Sequence, residues 1–190
     1  MSLLVPIIVA LSLSLTVVSG ECPGARNNMT MEAACREACA APPSPATRMY
    51  QLCMDTLGEV GTPAGSVEEA GEYAYHATWR ALWAYLDTMA MAWHFLGDAA
   101  AIAAGEEKAA YAFCVGGRYP EAEAAMERVN WLPGHCGHDV DGEYKRALCD
   151  VEACRDRVAK LASSPLIAMV DADYNRTLLA YLLGKVIGVK

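Results

Sequence analysis

The clearest pattern in the chain is a regular spacing of large apolar side chains between residues 66 and 97. They recur at alternating steps of four and three residues: Tyr75, Trp79, Leu82, Leu86, Met89, Trp93 and Leu96. This spacing places one apolar seam along a helix, and helices with such a seam pack side by side in bundles. Ser66 suits the N-cap of this helix, and Glu68 and Glu69 suit its first turn, where the helix dipole favours negative charge. We therefore predict a long helix that begins near Ser66 and buries the seam.

Further apolar stripes predict more helices, separated by glycine and proline residues that end or bend helices. These helices are expected at residues 48–60, 105–131, 141–162 and 171–189. Gly116, Gly117 and Pro120 fall inside the second of them and predict a kink or a break there. Residues 21–47 include the stretch Pro42–Pro45 and are expected to be irregular.

Four of the predicted helices are long and amphipathic, and the segments between them are short. Such helices pack as antiparallel neighbours around a shared core. The sequence therefore predicts an all-α fold in which residues 66–190 form a four-helix up-and-down bundle. Residues 21–60 form an N-terminal extension tied by disulfides, so that 21–190 is a single domain, as the length of the chain also suggests.

The first twenty residues form an apolar run without charged side chains, and it ends in the small residues Ser19 and Gly20. We interpret residues 1–20 as a secretory signal peptide. A membrane anchor is the alternative, but the run is short for a span and no basic residues follow it directly. The mature chain is then secreted and free of the membrane. The sequons at Asn28 and Asn175 fit glycosylation along that route.

The charge balance of the chain narrows the classes of partner. Of 190 residues, 15 are basic and 23 are acidic, which gives a formal net charge of −8. Nucleic acids and anionic membrane surfaces attract clusters of lysine and arginine instead. We therefore expect neither nucleic acid nor membrane as a partner.

Eight cysteines in so short a chain are expected to form disulfides in an oxidising compartment. They are Cys22, Cys35, Cys39, Cys53, Cys114, Cys136, Cys149 and Cys154. Their spacing alone leaves the pairing open. A zinc site built from Cys35, Cys39 and the stretch His135–His138 is one alternative, although secretion disfavours it. The plant lipid-transfer scaffold is another, but it carries adjacent Cys-Cys and Cys-x-Cys pairs, which this chain lacks.

No familiar catalytic or phosphate-binding motif occurs in the sequence. His76 and His94 fall on one predicted helix, roughly 27 Å apart if it is straight, which is too far for joint chemistry. Helix dipoles account for paired carboxylates such as Glu106 and Glu107 at a helix start. We therefore predict no catalytic residue, no metal and no cofactor.

Four groups of residues, in order along the mature chain, resemble a known family when they are taken together. They are Cys35-Arg36-Glu37-Ala38 with Tyr50, Cys53, Leu57 and Gly58; Cys114 with Tyr119 and Ala122; Ala147-Leu148 with Cys154 and Val158; and Asp173-Tyr174 with Ala180, Leu183 and Ile187. Their order and spacing resemble the plant invertase and pectin methylesterase inhibitors. The resemblance implies a four-helix bundle with an N-terminal helical hairpin.

The resemblance also implies disulfides Cys35–Cys53 and Cys114–Cys154. Joining the remaining cysteines to their nearest neighbours would add two more pairs. These are Cys22–Cys39 and Cys136–Cys149. The implied activity is stoichiometric inhibition of a secreted, carbohydrate-active cell-wall enzyme by surface docking, in the cell wall or alternatively in the vacuole.

Pectin methylesterase is the enzyme that we expect, because such enzymes are often basic and an acidic bundle would be steered toward them. Acid invertase is the alternative, although residues 130–139 lack the Pro-Lys-Phe of invertase inhibitors. A second alternative is a helical module without inhibitory activity that binds ligands with Trp79, Trp83 or Trp93.

Four residues are expected in the interface with the enzyme. Arg80, Trp83 and Asp87 lie off the predicted seam, and Trp131 lies at the end of the predicted helix 105–131, within the stretch 130–139. Tryptophan and arginine anchors concentrate binding energy in protein interfaces. The alternative for Trp83 is that it packs under the N-terminal hairpin.

Overall fold

The structure is a computed structural model that describes part of the chain. The described residues are 22–40, 46–59, 61, 63, 65–97, 105–130, 136, 139–161 and 163–190. The predicted signal peptide at residues 1–20 lies outside these ranges, as do Trp131, His135 and His138.

The described residues are mainly helical, with one small antiparallel sheet. The helices are α1 (Met31–Cys39), α2 (Ala46–Gly58), α3 (Ala70–Gly97), α4 (Gly105–Phe113), α5 (Tyr119–Asn130), α6 (Val140–Val158) and α7 (Ile167–Val186). The strands β1 (Asn28–Thr30) and β2 (Val67–Glu69) pair in the register Asn28 to Glu69. α3 packs against α5 and α7, and α6 closes the ring on their other side. The prediction of an all-α, disulfide-stapled bundle is therefore confirmed.

The kink predicted between α4 and α5 is a single π-helical turn, Cys114–Arg118. Here the N–H of Tyr119 donates to the carbonyl of Cys114, five residues back. A π turn interrupts the regular ladder of hydrogen bonds, which suits Pro120 because proline has no N–H to offer. The helix axis therefore continues through this point without a break.

The N-terminus of α3 differs from the prediction. Ser66 is not its N-cap, because the hydroxyl of Ser66 donates to the carbonyl of Pro63 and the next three residues form β2. The N–H of Ala70 donates to the carbonyl of Asn27, and that of Gly71 to the carbonyl of Ala25. Main-chain carbonyls of the N-terminal segment thus satisfy two of the four free donors with which a helix begins.

The N-terminal segment contains a helix, α1, where irregular structure was expected from the residues themselves. Thr30 is its N-cap and accepts a hydrogen bond from the N–H of Ala33. α1 and α2 pair as the hairpin that the resemblance implied, and Cys35–Cys53 joins them. The hairpin packs on α7 and α3, at one side of the bundle.

The buried face of α3 overlaps the predicted seam only in part: Leu82 is buried, and Met89 and Leu96 pack partly against the core. Trp79, Leu86 and Trp93 of the seam expose 36%, 41% and 56% of their surface. The buried face consists mainly of small and hydroxyl-bearing side chains: Ala70, Tyr73, Ala74, Ala77, Thr78, Ala81, Leu82, Tyr85, Thr88 and Ala92. Alanines let neighbouring helices approach closely, since the distance between helix axes depends on the side chains at the contact. The large indole rings therefore remain outside the bundle.

Two of the four proposed disulfides are confirmed and two are wrong. Cys35–Cys53 and Cys114–Cys154 are present, with Cα atoms 5.6 and 5.1 Å apart. Cys22 bonds Cys136 across 114 residues of sequence, instead of Cys39. Cys136 therefore does not bond Cys149, which is an exposed thiol on α6. Cys39 is buried at the end of α1, and burial raises the pKa of its thiol.

The long-range bond follows from the path of the N-terminal segment. The N–H of Gly24 donates to the carbonyl of Ile187, just beyond α7. This contact holds Cys22 beside the end of the bundle, where the residues before α6 supply Cys136. Pairing by nearest neighbours in sequence fails because the N-terminal segment that carries Cys22 folds back against the residues before α6.

A close contact between α6 and α7 depends on Gly184. A Cβ atom added to Gly184 would lie 2.9 Å from a ring carbon of Tyr144, which is buried and bonded through its hydroxyl to Thr78. Gly184→Ala is therefore expected to lower the free energy of unfolding by about 2 kcal/mol, measured by urea denaturation. Gly116→Ala is the control, because a Cβ atom there meets open space. An equal loss in both variants would contradict the packing explanation.

Candidate functional site

A groove runs between α3 and α7 and has a volume of about 380 Å³. Its lining comprises Arg80, Trp83, Ala84, Asp87, Thr88, Ala168, Met169, Ala172, Asp173 and Arg176. Arg80, Arg176 and Asp87 supply its solvent-accessible charged groups, and Met169 and the alanines supply apolar surface. We refer to it as the α3–α7 groove.

Three of the four residues predicted for the interface line this groove together. Trp83 is 55% exposed, and its ring stacks on that of Trp79 with centroids 6.3 Å apart. Trp83 is therefore not buried under the N-terminal hairpin. The N-terminal hairpin is contacted instead by Arg80, which forms an ion pair with Glu59 just beyond α2. Asp87 lies one turn further along α3, while Trp131 lies outside the described residues.

Asp173 lies at the floor of the α3–α7 groove and is only 1% exposed. Its Oδ2 accepts hydrogen bonds from the hydroxyl of Thr88 at 2.7 Å and from that of Tyr119 at 2.6 Å. Arg176 Nη1 lies 3.8 Å from Oδ1. Burial nevertheless raises the pKa of Asp173 to about 6, because the hydrogen bonds and the arginine offset only part of the cost of removing a carboxylate from water.

A second layer of hydroxyl groups supports Asp173 from below. Thr177 donates to the carbonyl of Asp173 at 2.7 Å, so its oxygen accepts from the hydroxyl of Tyr85, 2.5 Å away. The rings of Tyr85 and Tyr119 meet edge to face at 5.5 Å. Burial raises the pKa of both tyrosines far above its usual range, which keeps them protonated as donors. α3, α5 and α7 are thereby joined through one polar network.

A second groove lies on the other side of the stacked tryptophans, between α3 and α5, with a volume of about 540 Å³. Its lining comprises Tyr75, Trp79, Leu82, Leu86, Glu123, Glu127 and Asn130. Burial, and then the negative charge of Glu127, raise the pKa of Glu123. We refer to it as the α3–α5 groove.

The side chains that could ligate a metal ion are dispersed among the described residues. Within them, no group of three or more His, Cys, Asp or Glu side chains is placed to hold a metal ion. Cys35 and Cys136, which the zinc alternative would have used, form disulfides. His94 is exposed and His76 is half-buried on α3. The α3–α7 and α3–α5 grooves lie on either side of the exposed indole rings of Trp79 and Trp83.

The two sequons have different surroundings. Asn28 is exposed in β1, whereas Asn175 is half-buried in α7 and its amide donates to the carbonyl of Asp171 at 2.8 Å. The third residue of that second sequon, Thr177, is fully buried. Attachment of a glycan to Asn175 would therefore have to precede the folding of α7, and glycosylation at both positions stays a prediction.

The polar network around Asp173 was not anticipated from the sequence. Tyr119 and Asp173 entered only as residues of the resemblance. A usable signal was nevertheless present: Tyr85 and Thr88 are three residues apart on α3, and Asp173 and Thr177 are four apart on α7. Such spacings place polar groups on one face of a helix, beside the apolar residues of the core.

The described ranges contain no helix that is both long and apolar enough to cross a membrane. No family model, curated protein or solved structure matches the chain.

Proposed function

We propose that this protein is a secreted inhibitor that docks on an enzyme through α3, with pectin methylesterase as the enzyme. The observation that carries the proposal is Trp83, which stands 55% exposed between Arg80 and Asp87 at the α3–α7 groove. Tryptophan and arginine are the residue types that most often anchor protein interfaces. A large indole ring left in water between two charges fits a partner that covers it.

Rigidity of the docking surface supports the same proposal. α3 is tied to α5 and α7 by the network around Asp173, and Arg80 adds an exposed ion pair with Glu59. Three disulfides staple the chain around it. A preorganised surface loses little conformational entropy on binding, so more of the contact energy appears as affinity.

The choice of enzyme rests on the resemblance and on charge. Cys35–Cys53 and Cys114–Cys154 occupy the positions that the resemblance implied. A net charge of −8 favours a basic partner, which pectin methylesterases of this type often are. Disulfides also fit secretion, since they persist in oxidising compartments. Acid invertase is the second enzyme to assay.

The expected effect of Trp83→Ala tests the proposal. The mature chain should inhibit pectin methylesterase in a one-to-one titration. Trp83→Ala should weaken binding by about 2 kcal/mol, or roughly thirtyfold, because an interface anchor is lost. Its thermal midpoint should be kept, because Trp83 is largely exposed. Enzyme activity, calorimetry and thermal unfolding measure these three quantities.

Trp93→Ala is the matched control, because Trp93 lies on the same helix, is 56% exposed and lines neither groove. It should leave inhibition unchanged. Equal losses of binding in the two variants would contradict the assignment of the surface. Absence of inhibition of both enzymes by the unmodified chain would overturn the proposed function itself.

A further inference from the structure

The α3–α5 groove combines an aromatic wall with negative charge. Tyr75 and Trp79 line one side, with rings edge to face and centroids 6.4 Å apart. Glu123 and Glu127 line the other side, four residues apart on α5. Among the described residues that line the groove, none is basic. Aromatic faces and carboxylates both attract cations.

An unsatisfied acceptor lies beside the same groove. Oδ1 of Asn130 is buried and has no hydrogen-bond partner among the described residues. A buried oxygen in this state costs free energy. Since this oxygen is shielded from water, the acceptors that the groove itself offers to an occupant are the carboxylates of Glu123 and Glu127.

The two carboxylates also repel each other. The pKa of Glu123 is raised by its burial and by the charge of Glu127. A cation placed between them would offset both effects, since it interacts favourably with each carboxylate. The electrostatics of the groove thus favour a positively charged occupant.

We propose that the α3–α5 groove binds an arginine side chain of a basic partner protein. The inference deepens the proposed function and rests on it for the source of the arginine. A guanidinium group is planar, so it can lie against the ring of Trp79. It also carries donors on several sides, which suits the two carboxylates of Glu123 and Glu127. Lysine offers a strongly hydrated point charge instead, which matches the flat wall less well.

The proposal can be tested without any enzyme. The probe is the peptide acetyl-Gly-Arg-Gly-amide, titrated into the mature chain while the indole N–H resonances are followed by NMR. The resonance of Trp79 should shift and that of Trp93 should not, because only Trp79 lines the groove. The matching citrulline peptide has nearly the same shape but no charge, and the lysine peptide has charge without the planar group. Both should bind at least tenfold more weakly than the arginine peptide.

Glu127→Gln provides the matched variant, because Glu127 is exposed and its replacement keeps the size of the side chain. It should weaken binding of the arginine peptide about tenfold through loss of one charge-assisted contact. Glu121→Gln is the control, since Glu121 is exposed on the same helix but lies outside the groove. It should leave the affinity unchanged.

Three results would overturn the inference: equal binding of the citrulline or lysine peptide, equal effects of the two glutamine variants, or no shift of Trp79. These results are separate from those that bear on the proposed function. A chain that inhibits the enzyme but ignores the arginine peptide refutes only the inference. A chain that binds the peptide at this groove but inhibits neither enzyme refutes only the proposed function.

Discussion

Replacing Cys114 and Cys154 together by alanine is expected to lower the free energy of unfolding by about 4 kcal/mol. The bond closes a loop of 40 residues and ties the π turn to α6. Both cysteines are buried, with exposures of 1% and 0%. Without the bond, the unfolded chain gains conformational freedom while the folded state gains nothing in return. Chemical denaturation under non-reducing conditions measures the difference.

Cys149→Ala is the control for this experiment, because Cys149 is an exposed thiol on the same helix as Cys154. Its replacement should leave the unfolding midpoint unchanged. A loss below about 1 kcal/mol in the double variant would show that packing, rather than the crosslink, holds α5 against α6.

The stability of the protein is expected to fall as the pH rises from 4 to 7, and Asp173 is the reason. Its pKa is about 6 in the folded protein against an ordinary value of 3.8. A carboxyl group whose pKa is raised by folding stabilises the fold fully below pH 3.8, and this contribution is lost as the pH rises through 6. The difference of about two pKa units corresponds to about 3 kcal/mol in total, of which about 2 kcal/mol is lost between pH 4 and pH 7.

Asp173→Asn should remove this dependence, since an amide oxygen can still accept from Thr88 and Tyr119 but does not ionise. Urea denaturation at a series of pH values measures it, with Asp156→Asn as the control because Asp156 is exposed. An unchanged slope in Asp173→Asn would mean that another group governs the pH dependence.

Asp141 behaves in the opposite sense and does not mask the effect. Contacts with Lys145, and then with Lys185 and Tyr181, hold the pKa of Asp141 at about 2. A carboxyl whose pKa is lowered by folding contributes stability above pH 3.8, and this contribution is lost as the pH falls through 2. Its transition therefore lies below the range in which Asp173 titrates.

The helices of the bundle and their number could be predicted from the sequence. Apolar periodicity and the glycine and proline residues that end helices depend only on residues close together in the chain. A helix was predicted at 171–189, and α7 spans Ile167–Val186 with Leu179, Leu182 and Leu183 buried. The break in the helical pattern before α7 also follows from the local sequence, since proline residues end helices. By contrast, the pattern of residues did not predict α1, although Thr30 is a regular N-cap. The helix is short and lies beside a proline-rich stretch.

The face that α3 buries could not be decided from periodicity, because two stripes on that helix were available. One stripe held the large rings of Trp79 and Trp93, and the other held alanines with Tyr85 and Thr88. Hydrophobicity alone favours the first stripe. Only the packing of α7 against α3 selects the second, because the alanines allow close approach and Thr88 meets Asp173.

The candidate site was likewise predicted in part from local sequence, and its remaining part depends on contacts between distant segments. Arg80, Trp83 and Asp87 were predicted to share a surface because they lie off the predicted seam of a single helix, and they do line one groove. The other wall of that groove comes from α7, and the floor from Asp173, which is ninety residues away from Trp83 in sequence. The long-range bond Cys22–Cys136 arises likewise from how the chain end returns to the bundle. Local spacing determined the helices and the residues they present, whereas the buried stripe, the polar network and the grooves were decided by contacts between distant segments.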